Sequence, residues 1–261
     1  MIEAKNVSKW FDGQRILYDV SADFETGKTN LIIGQSGSGK TVFMKCLIGL
    51  LKPEQGEILY DGRQLSKMNA DERRQLRTEI GVLFQGSALF DNETVLGNVM
   101  FPLTMFSGMS LAEKLERAHF CIKRVGLDKA ADKYPSELSG GMQKRAAIAR
   151  AIALNPRYLF CDEPNSGLDP KTSILIDDLL SDITHEFNIT TIINTHDMNS
   201  VLGIGEHIVF INKGHCDWIG SDSNIFRSDS KALNDFVFAS ELFKEVKRFL
   251  QLEYENKDKN N

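Results

Sequence analysis

One eight-residue segment constrains the fold of this chain more than any other feature. It reads GQSGSGKT at residues 34–41, follows the aliphatic run Leu31–Ile33 and fits the pattern GxxxxGK[ST]. Between a strand and a helix, this pattern wraps backbone N–H groups around phosphate, and the helix N-terminus adds partial positive charge. The segment therefore predicts a nucleotide-binding α/β core. The predicted phosphate-binding residues are Gly34, Gln35, Ser36, Gly37, Ser38, Gly39, Lys40 and Thr41.

The last two residues of this loop have separate predicted roles. Lys40 is expected to reach the β- and γ-phosphates, and Thr41 to offer a hydroxyl to Mg²⁺. A second oxygen ligand for the metal is Asp162, which follows the apolar run Tyr158–Cys161. Glu163 comes next, at the edge of the predicted sheet, where a carboxylate can polarise an attacking water. An isolated Asp-Glu pair would indicate a solvated strand end, but the upstream phosphate loop favours the catalytic interpretation.

Short apolar segments separated by turn residues fill the first 61 positions and predict strands. One helix interrupts them over residues 39–51 and ends at Lys52-Pro53, since proline cannot continue a helix. From residue 72 to about residue 154, apolar residues recur every three or four positions, which is typical of helices. The predicted N-terminal strands are Ile2–Val7, Ile16–Phe24, Thr29–Ile33 and Glu57–Tyr60.

Strand patterns return later in the chain, at residues 158–161, 190–194 and 207–211, with a helical pattern at residues 172–186. Strands that alternate with helices predict a parallel sheet. We therefore expect an α/β fold: a P-loop NTPase core with an N-terminal antiparallel β portion and an inserted α-helical subdomain at about residues 86–157.

A second glycine-rich segment, Leu138-Ser139-Gly140-Gly141-Met142, stands directly before a run with helical periodicity. Small residues and a serine hydroxyl at a helix start form another anion-binding surface. One nucleotide cannot easily use two such surfaces from a single chain. A head-to-tail dimer resolves this, because each nucleotide then lies between the phosphate loop of one chain and the LSGGM segment of the other.

The order and wording of these segments resemble the ABC ATPase family over roughly residues 2–230. The usual signature of that family is LSGGQ, and this chain departs from it only at Met142. The resemblance implies that the chain binds and hydrolyses ATP with Mg²⁺. It also implies that the signature, from Leu138 to Met142, acts on the ATP held by a second chain.

The resemblance also assigns roles to residues that spacing alone does not reach. Phe11 resembles the aromatic residue that stacks on adenine, with Trp10 as its close competitor. Gln85 resembles the glutamine that contacts Mg²⁺ and water, and His196 the switch histidine that contacts the γ-phosphate. Ser166, Gly167, Leu168 and Asp169 resemble the loop that bridges the two active sites of a dimer. The implied catalytic residues are Glu163, His196 and Gln85, and the implied metal ligands are Thr41, Gln85 and Asp162.

Two stretches favour one branch of the family. Residues 85–103 contain GSALF, TV, NV and FPL, and residues 135–156 contain SGGMQKRAAIARAIA. Both resemble the ATPase subunit of bacterial Mla/Mce-type phospholipid transporters, although other importers share much of the wording. The alternatives are a motor that imports another small substrate and a soluble ABC ATPase of iron–sulfur assembly.

The resemblance implies a homodimer bound to integral membrane permease subunits at the cytoplasmic face of the inner membrane. A small regulatory subunit and a lipid-binding Mce-type protein are further implied partners. The chain has no stretch near the ~18 consecutive apolar residues of a spanning helix, so the permease must hold it at the membrane. Its net charge of −5 argues against nucleic acid as a partner, and its four scattered cysteines predict reduced thiols.

Two further segments leave alternatives open. The apolar residues of Val99–Phe106 either pack in the core of the helical subdomain or line a groove for a short permease helix. Beyond an ATPase domain of residues 1–230, residues 231–252 predict an amphipathic helical extension and residues 253–261 a disordered tail. The extension either packs on its own domain or reaches the second ATPase or a regulator.

Overall fold

Two sheets organise the part of the chain that the computed structural model describes, which is residues 1–239 and residue 245. Their strands are β1 (Ile2–Phe11), β2 (Gln14–Phe24), β3 (Thr29–Ile33), β4 (Gln55–Tyr60), β5 (Arg63–Gln64), β6 (Ile80–Leu83), β7 (Tyr158–Asp162), β8 (Thr190–Thr195), β9 (His207–Asn212) and β10 (His215–Gly220).

Helices connect these strands and cover the larger sheet. They are α1 (Lys40–Ile48), α2 (Ala70–Thr78), α3 (Val95–Phe106), α4 (Leu111–Arg124), α5 (Gly140–Ala151), α6 (Pro170–Glu186), α7 (Met198–Ile204), α8 (Asp222–Ile225) and α9 (Lys231–Val237). Single 3-10 turns lie at Leu65–Lys67, Asp128–Ala130 and Pro135–Glu137.

The smaller sheet is antiparallel, with strand order β2-β1-β4-β5. The larger sheet has the order β10-β9-β3-β8-β7-β6, parallel from β9 to β6 and closed by the antiparallel edge strand β10. Parallel strands are covered on both faces. That explains why all five residues of β3 are buried and why Leu31–Ile33 is a continuous aliphatic run rather than an alternation of apolar and polar residues.

Helix α1 lies between the two sheets, and its side chains Phe43, Met44 and Leu47 join one hydrophobic core with residues of both. The hydroxyl of Tyr60 in β4 donates to the carbonyl oxygen of Leu47 at 2.6 Å, which ties the smaller sheet to this helix. On the opposite face of the larger sheet, Ile33 joins a second core that α3, α4, α5 and α6 supply. The loop before α1 is therefore held between two cores.

The predicted α/β class with an antiparallel N-terminal portion is the observed one. One detail was wrong: the helical period expected from residue 72 onward is broken by β6, which pairs with β7 in parallel. A four-residue strand that contains Gly81 is too short to show a period of its own, and its pairing comes from distant residues. Two strands also extend the prediction, since β1 continues to Phe11 and β10 forms a hairpin with β9.

The C-terminal prediction is only partly within the described residues. Helix α9 begins at Lys231 and ends at Val237, where Leu233 and Val237 are buried in the second core. The remainder of the predicted extension and the tail at residues 253–261 lie outside the described residues, apart from Glu245. Among the helices that are described, none is long and apolar enough to cross a lipid bilayer.

Gly81 allows strand β6 to approach helix α5 closely, because a Cβ at this position would overlap the carbonyl oxygen of Ala151. We expect Gly81→Ala to lower the free energy of unfolding by about 1–3 kcal/mol, since strand and helix must separate. Urea unfolding of the purified chain measures this. The matched control is Gly203→Ala in α7, where an added Cβ meets nothing within 4 Å. Equal midpoints for the two variants would contradict the close-packing argument.

Candidate functional site

Four parallel strands of the larger sheet end at the same edge, and a predicted site residue follows or ends each of them. β3 leads into Gly34, β6 into Gln85 and β8 into His196, while β7 ends at Asp162. Ligands of open α/β sheets bind at this carboxyl edge, where the loops converge. The topology therefore collects residues that lie far apart in the sequence.

The glycine-rich loop after β3 depends on backbone conformations that favour glycine. Gly34, Gly37 and Gly39 have φ angles of 150°, 78° and 109°. A Cβ at Gly34 would also overlap the carbonyl oxygen of Ile211 in β9. The loop forms a cradle in which Lys40 Nζ donates to two loop carbonyl oxygens at 2.8 and 3.0 Å.

The interior of this cradle is electrostatically suited to an anion. Lys40 is only 5% exposed, and burial lowers its pKa, whereas the carboxylates of Glu163 and Asp162 act in the opposite direction. The hydroxyl of Ser38 is buried and has no hydrogen-bond partner among the described residues. A buried ammonium group and an unpartnered hydroxyl in one cradle fit a ligand rich in negatively charged oxygens.

Beside the cradle lies an oxygen pair that fits a divalent cation. Thr41 Oγ1 is 3.4 Å from Asp162 Oδ1, and Asn194 Nδ2 donates to the same carboxylate oxygen at 2.9 Å. Hydroxyl and carboxylate oxygens are ligands that Mg²⁺ prefers, with water and phosphate oxygens completing its shell. Sequence reasoning missed Asn194, although a polar residue directly after Ile192-Ile193 in the buried strand β8 was a usable signal.

Glu163 is held at the centre of the site by three contacts. Its amide N–H donates to the carbonyl oxygen of Asn194 at 3.0 Å, with a φ of 46° that turns the chain sharply after β7. Its carboxylate accepts from Gln85 Nε2 at 3.2 Å and lies 3.1 Å from His196 Nδ1. Gln85 Nε2 also donates to Ser166 Oγ at 3.1 Å. The three implied catalytic side chains therefore meet in a single hydrogen-bonded group.

The LSGGM segment occupies a different surface. Ser139 caps α5, accepting from the amide of Met142 at 3.3 Å, and Ser139 and Gly140 are exposed. Leu138 does not face this surface but is buried in the core. Within the described residues, no hydrogen bond joins this segment to the phosphate cradle of the same chain. The exposed helix start is thus available to another molecule.

The bridging loop lies next to the LSGGM segment. Asp169 caps α6 and accepts from the amide and the hydroxyl of Thr172, at 3.0 and 2.5 Å. A Cβ at Gly141 would lie 2.6 Å from the Thr172 methyl group, and one at Gly140 would lie 3.5 Å from a Leu168 methyl group. The start of α5 and the start of α6 are therefore packed together through glycine.

Two cations of α5 hold the loop that follows β6, and sequence reasoning missed both. Lys144 is 4% exposed and donates to the carbonyl oxygen of Gln85. Arg150 donates to the carbonyl oxygens of Ser87 and Ala88 at 2.8 and 2.6 Å. Ser87 and Ala88 have φ angles of 62° and 49°, which are costly for residues with a side chain. Helix α5 therefore fixes a strained conformation of the Gln85 loop.

The two candidate aromatics differ in availability. The guanidinium of Arg15 covers the ring of Trp10 at 4.8 Å, whereas Phe11 is 41% exposed at the end of β1. Lys9 Nζ lies 5.1 Å from the centroid of the Phe11 ring. Phe11 is thus the more accessible ring for stacking.

An apolar groove of about 350 Å³ lies beside the Gln85 loop and α3. Val99 and Leu103 are buried in the core, while Phe101, Met105 and Phe106 are 43%, 55% and 52% exposed, so one part of Val99–Phe106 packs in the core and Phe101 and Phe106 line the groove. The groove is lined by Arg77, Ile80, Gly81, Val82, Phe84, Ala88, Phe90, Phe101, Pro102, Phe106, Arg150, Ala151 and Leu154.

Comparisons with known proteins agree with this arrangement. A family model described as "ABC transporter" matches residues 17–166. The chain is 37% identical over 236 residues to the probable ribonucleotide transport ATP-binding protein mkl of Mycobacterium leprae, which covers 90% of this chain and 68% of that protein. It is 38% identical over 237 residues to the methionine import ATP-binding protein MetN of Clostridioides difficile, which covers 91% of this chain and 74% of that protein.

Solved structures extend the similarity to three dimensions. The dimeric post-hydrolysis structure of the ATP-binding cassette MJ0796, bound to ADP and Pi, matches with a TM-score of 0.77 at 34% identity. The match covers 85% of this chain and 99% of that one. These similarities confirm the resemblance and the fold class expected from the sequence. The chain therefore belongs to the ABC transporter family, as an ATP-hydrolysing ATP-binding cassette.

Proposed function

We propose that this chain is the motor subunit of a membrane transporter, in which two copies clamp two ATP molecules between them. The observation that carries the proposal is the separation of the two anion-binding surfaces: the cradle of Gly34–Thr41 is at the sheet edge, while Ser139 and Gly140 are exposed at the start of α5. Each surface needs a partner from another chain. The dimeric cassette MJ0796 supports this arrangement, since it is similar over 85% of this chain.

In the proposed site, the residues of the sheet edge carry out an in-line displacement. Glu163 accepts a proton from a water whose oxygen attacks the γ-phosphorus, and the bond to the β-phosphate oxygen breaks as ADP leaves. His196 and Gln85 keep the carboxylate and the water aligned, because both already contact Glu163. Thr41, Gln85 and Asp162 are the proposed ligands of Mg²⁺, which would neutralise phosphate charge when bound. Positioning and charge stabilisation supply most of the rate in such reactions.

The signature of the second copy completes each proposed site. Ser139 and Gly141 would contact the γ-phosphate from the partner side, and Asp169 would lie near the seam between the copies. The N-terminus of α5 favours negative charge. Closure of the dimer would then depend on the γ-phosphate, and hydrolysis of ATP would allow the dimer to open.

Glu163→Gln should keep ATP binding and lower turnover by at least about 100-fold, because the amide cannot accept the proton. The closed dimer should persist with ATP, which size-exclusion chromatography detects. The matched control is Asp178→Asn, which also removes one carboxylate but lies on the exposed face of α6, away from the proposed site. Turnover at the wild-type rate in Glu163→Gln would remove Glu163 as the base.

Phe11 is the proposed adenine-stacking residue, since its ring is exposed and that of Trp10 is covered. Phe11→Ala should weaken binding of a fluorescent ATP analogue roughly tenfold, as expected for loss of one stacked ring. Trp10→Ala is the control and should change the affinity by less than about twofold. The reverse ranking would assign the stacking role to Trp10.

We further propose that the groove beside α3 receives a short helix of a permease, which would hold the subunit at the cytoplasmic face of the membrane. Its exposed Phe84, Phe90, Phe101 and Phe106 offer the apolar anchors of a helix-in-groove contact. The neighbouring Met105 adds an adaptable side chain. The same groove borders Ala88, whose carbonyl oxygen Arg150 binds, so a docked helix would contact the Gln85 loop directly.

Phe101→Ala should abolish copurification with the permease while leaving ATP hydrolysis by the isolated cassette within about twofold, because the ring packs on Phe90 and is not part of the hydrogen-bonded group of Glu163. The matched control is Leu111→Ala, whose side chain is 68% exposed and does not line the groove. Affinity purification from detergent-solubilised membranes measures both. Retained copurification in Phe101→Ala would exclude its ring as an anchor.

Phospholipid is the cargo that we propose, with a regulatory subunit and a lipid-binding Mce-type protein as further partners. The support is the wording of residues 85–103 and 135–156. The similarity to MetN favours import of a small solute as the second candidate. Mass spectrometry of lipids bound to the purified complex tests the first, and methionine uptake by cells that lack the subunit tests the second.

A further inference from the structure

Helix α6 buries a carboxylate that has no role in the site described above. Asp177 is 6% exposed, while its neighbour Asp178 is exposed to solvent. A buried carboxylate is unfavourable unless hydrogen-bond donors compensate it. Burial, with smaller contributions from the carboxylates of Asp197 and Asp178, raises the pKa of Asp177 to about 6, although hydrogen bonds from Ser200 and Asn165 oppose the increase.

The compensating donors come from two different elements. Ser200 Oγ in α7 donates to Asp177 Oδ2 at 2.7 Å. Asn165 Nδ2, in the loop between β7 and α6, donates to Asp177 Oδ1 at 2.8 Å and to Ser200 Oγ at 3.1 Å. Three side chains thus form a closed triangle that joins the loop, α6 and α7.

Each corner of the triangle adjoins a part of the proposed catalytic group. Asn165 lies two residues after Glu163 and directly before Ser166, whose hydroxyl accepts from Gln85. Ser200 belongs to the helix that begins just after His196. Asp177 also lines a cavity of about 610 Å³ together with Glu163 and His196. The triangle therefore joins the segments that carry Glu163 and His196, whose side chains contact each other at 3.1 Å.

We propose that Asp177 is a positioning residue for ATP hydrolysis, which makes the loop from Glu163 to Asp169 and the helix after His196 move as one body. The proposal rests on the catalytic roles proposed above for Glu163 and His196. The loop would contact the second chain, and His196 would contact the γ-phosphate. Because the triangle joins the two segments, either contact would then reposition Glu163. Contact with the substrate is left to other residues.

Asp177→Asn tests this role because it keeps the shape but removes the charged double acceptor. We expect kcat to fall about tenfold with KM for ATP and ATP-dependent dimerisation unchanged. Ser200→Ala should lower kcat as well, and the double variant should be no slower than the slower single variant, because the residues act as a unit. Asp178→Asn is the control and should match the wild type.

Thermal unfolding at pH 7.5 separates positioning from a structural role. The raised pKa means that the folded state holds more protons between about pH 4 and pH 6, so ionised Asp177 lowers stability above that range. Asp177→Asn should therefore keep or raise the thermal midpoint while it slows turnover. An unchanged kcat, additive effects in the double variant, or a loss of midpoint with a matching rise in KM would overturn the proposal. Glu163→Gln is assayed in parallel, since wild-type turnover there would refute the proposed catalytic roles and not the triangle.

Discussion

Parallel pairing of β3, β8, β7 and β6 is the constraint on which the rest of the structure depends. It aligns the carboxyl ends of the four strands, so that the glycine-rich loop, Asp162, Gln85 and His196 lie together although they are far apart in the sequence. The pairing also requires cover on both faces of the sheet. Helix α1 with the antiparallel sheet supplies one cover, and α3 to α6 supply the other.

Sequence patterns were sufficient for the parts of the fold that are decided locally. The aliphatic run before Gly34, the glycines of the loop and the start of the helix after it depend on near neighbours, and they lie where the pattern predicted. That helix ends at Ile48 rather than at residue 51, because Gly49 takes a left-handed conformation with a φ of 81°. Strand β6 was missed because its identity comes from pairing with β7, some eighty residues later. The inserted helices α3 to α5 do fall within residues 86–157, but whether they form an independent subdomain stays a prediction.

The site shows the same division. Lys40, Thr41, Asp162 and Glu163 carry a recognisable spacing because the chemistry needs them at fixed positions relative to a strand end. The residues that hold the site in place have no such recognisable spacing. Asn194 orients Asp162, and Lys144 and Arg150 fix the Gln85 loop through backbone carbonyl oxygens. A side chain that binds a backbone carbonyl leaves no pattern in the sequence of its partner. Its function becomes visible only with coordinates.

Helix α5 connects two surfaces for which different partners are proposed above. Its first turn presents Ser139 and Gly140, and its last turn holds Ser87 and Ala88 through Arg150, beside the apolar groove. Twelve residues of α-helix form a stiff rod of roughly 18 Å. A tilt of about 10° at one end would displace the other by about 3 Å without bending the rod. If the helix tilts as a rigid body, the displacement at its far end is set by the length of the helix rather than by the flexibility of the loops at its ends.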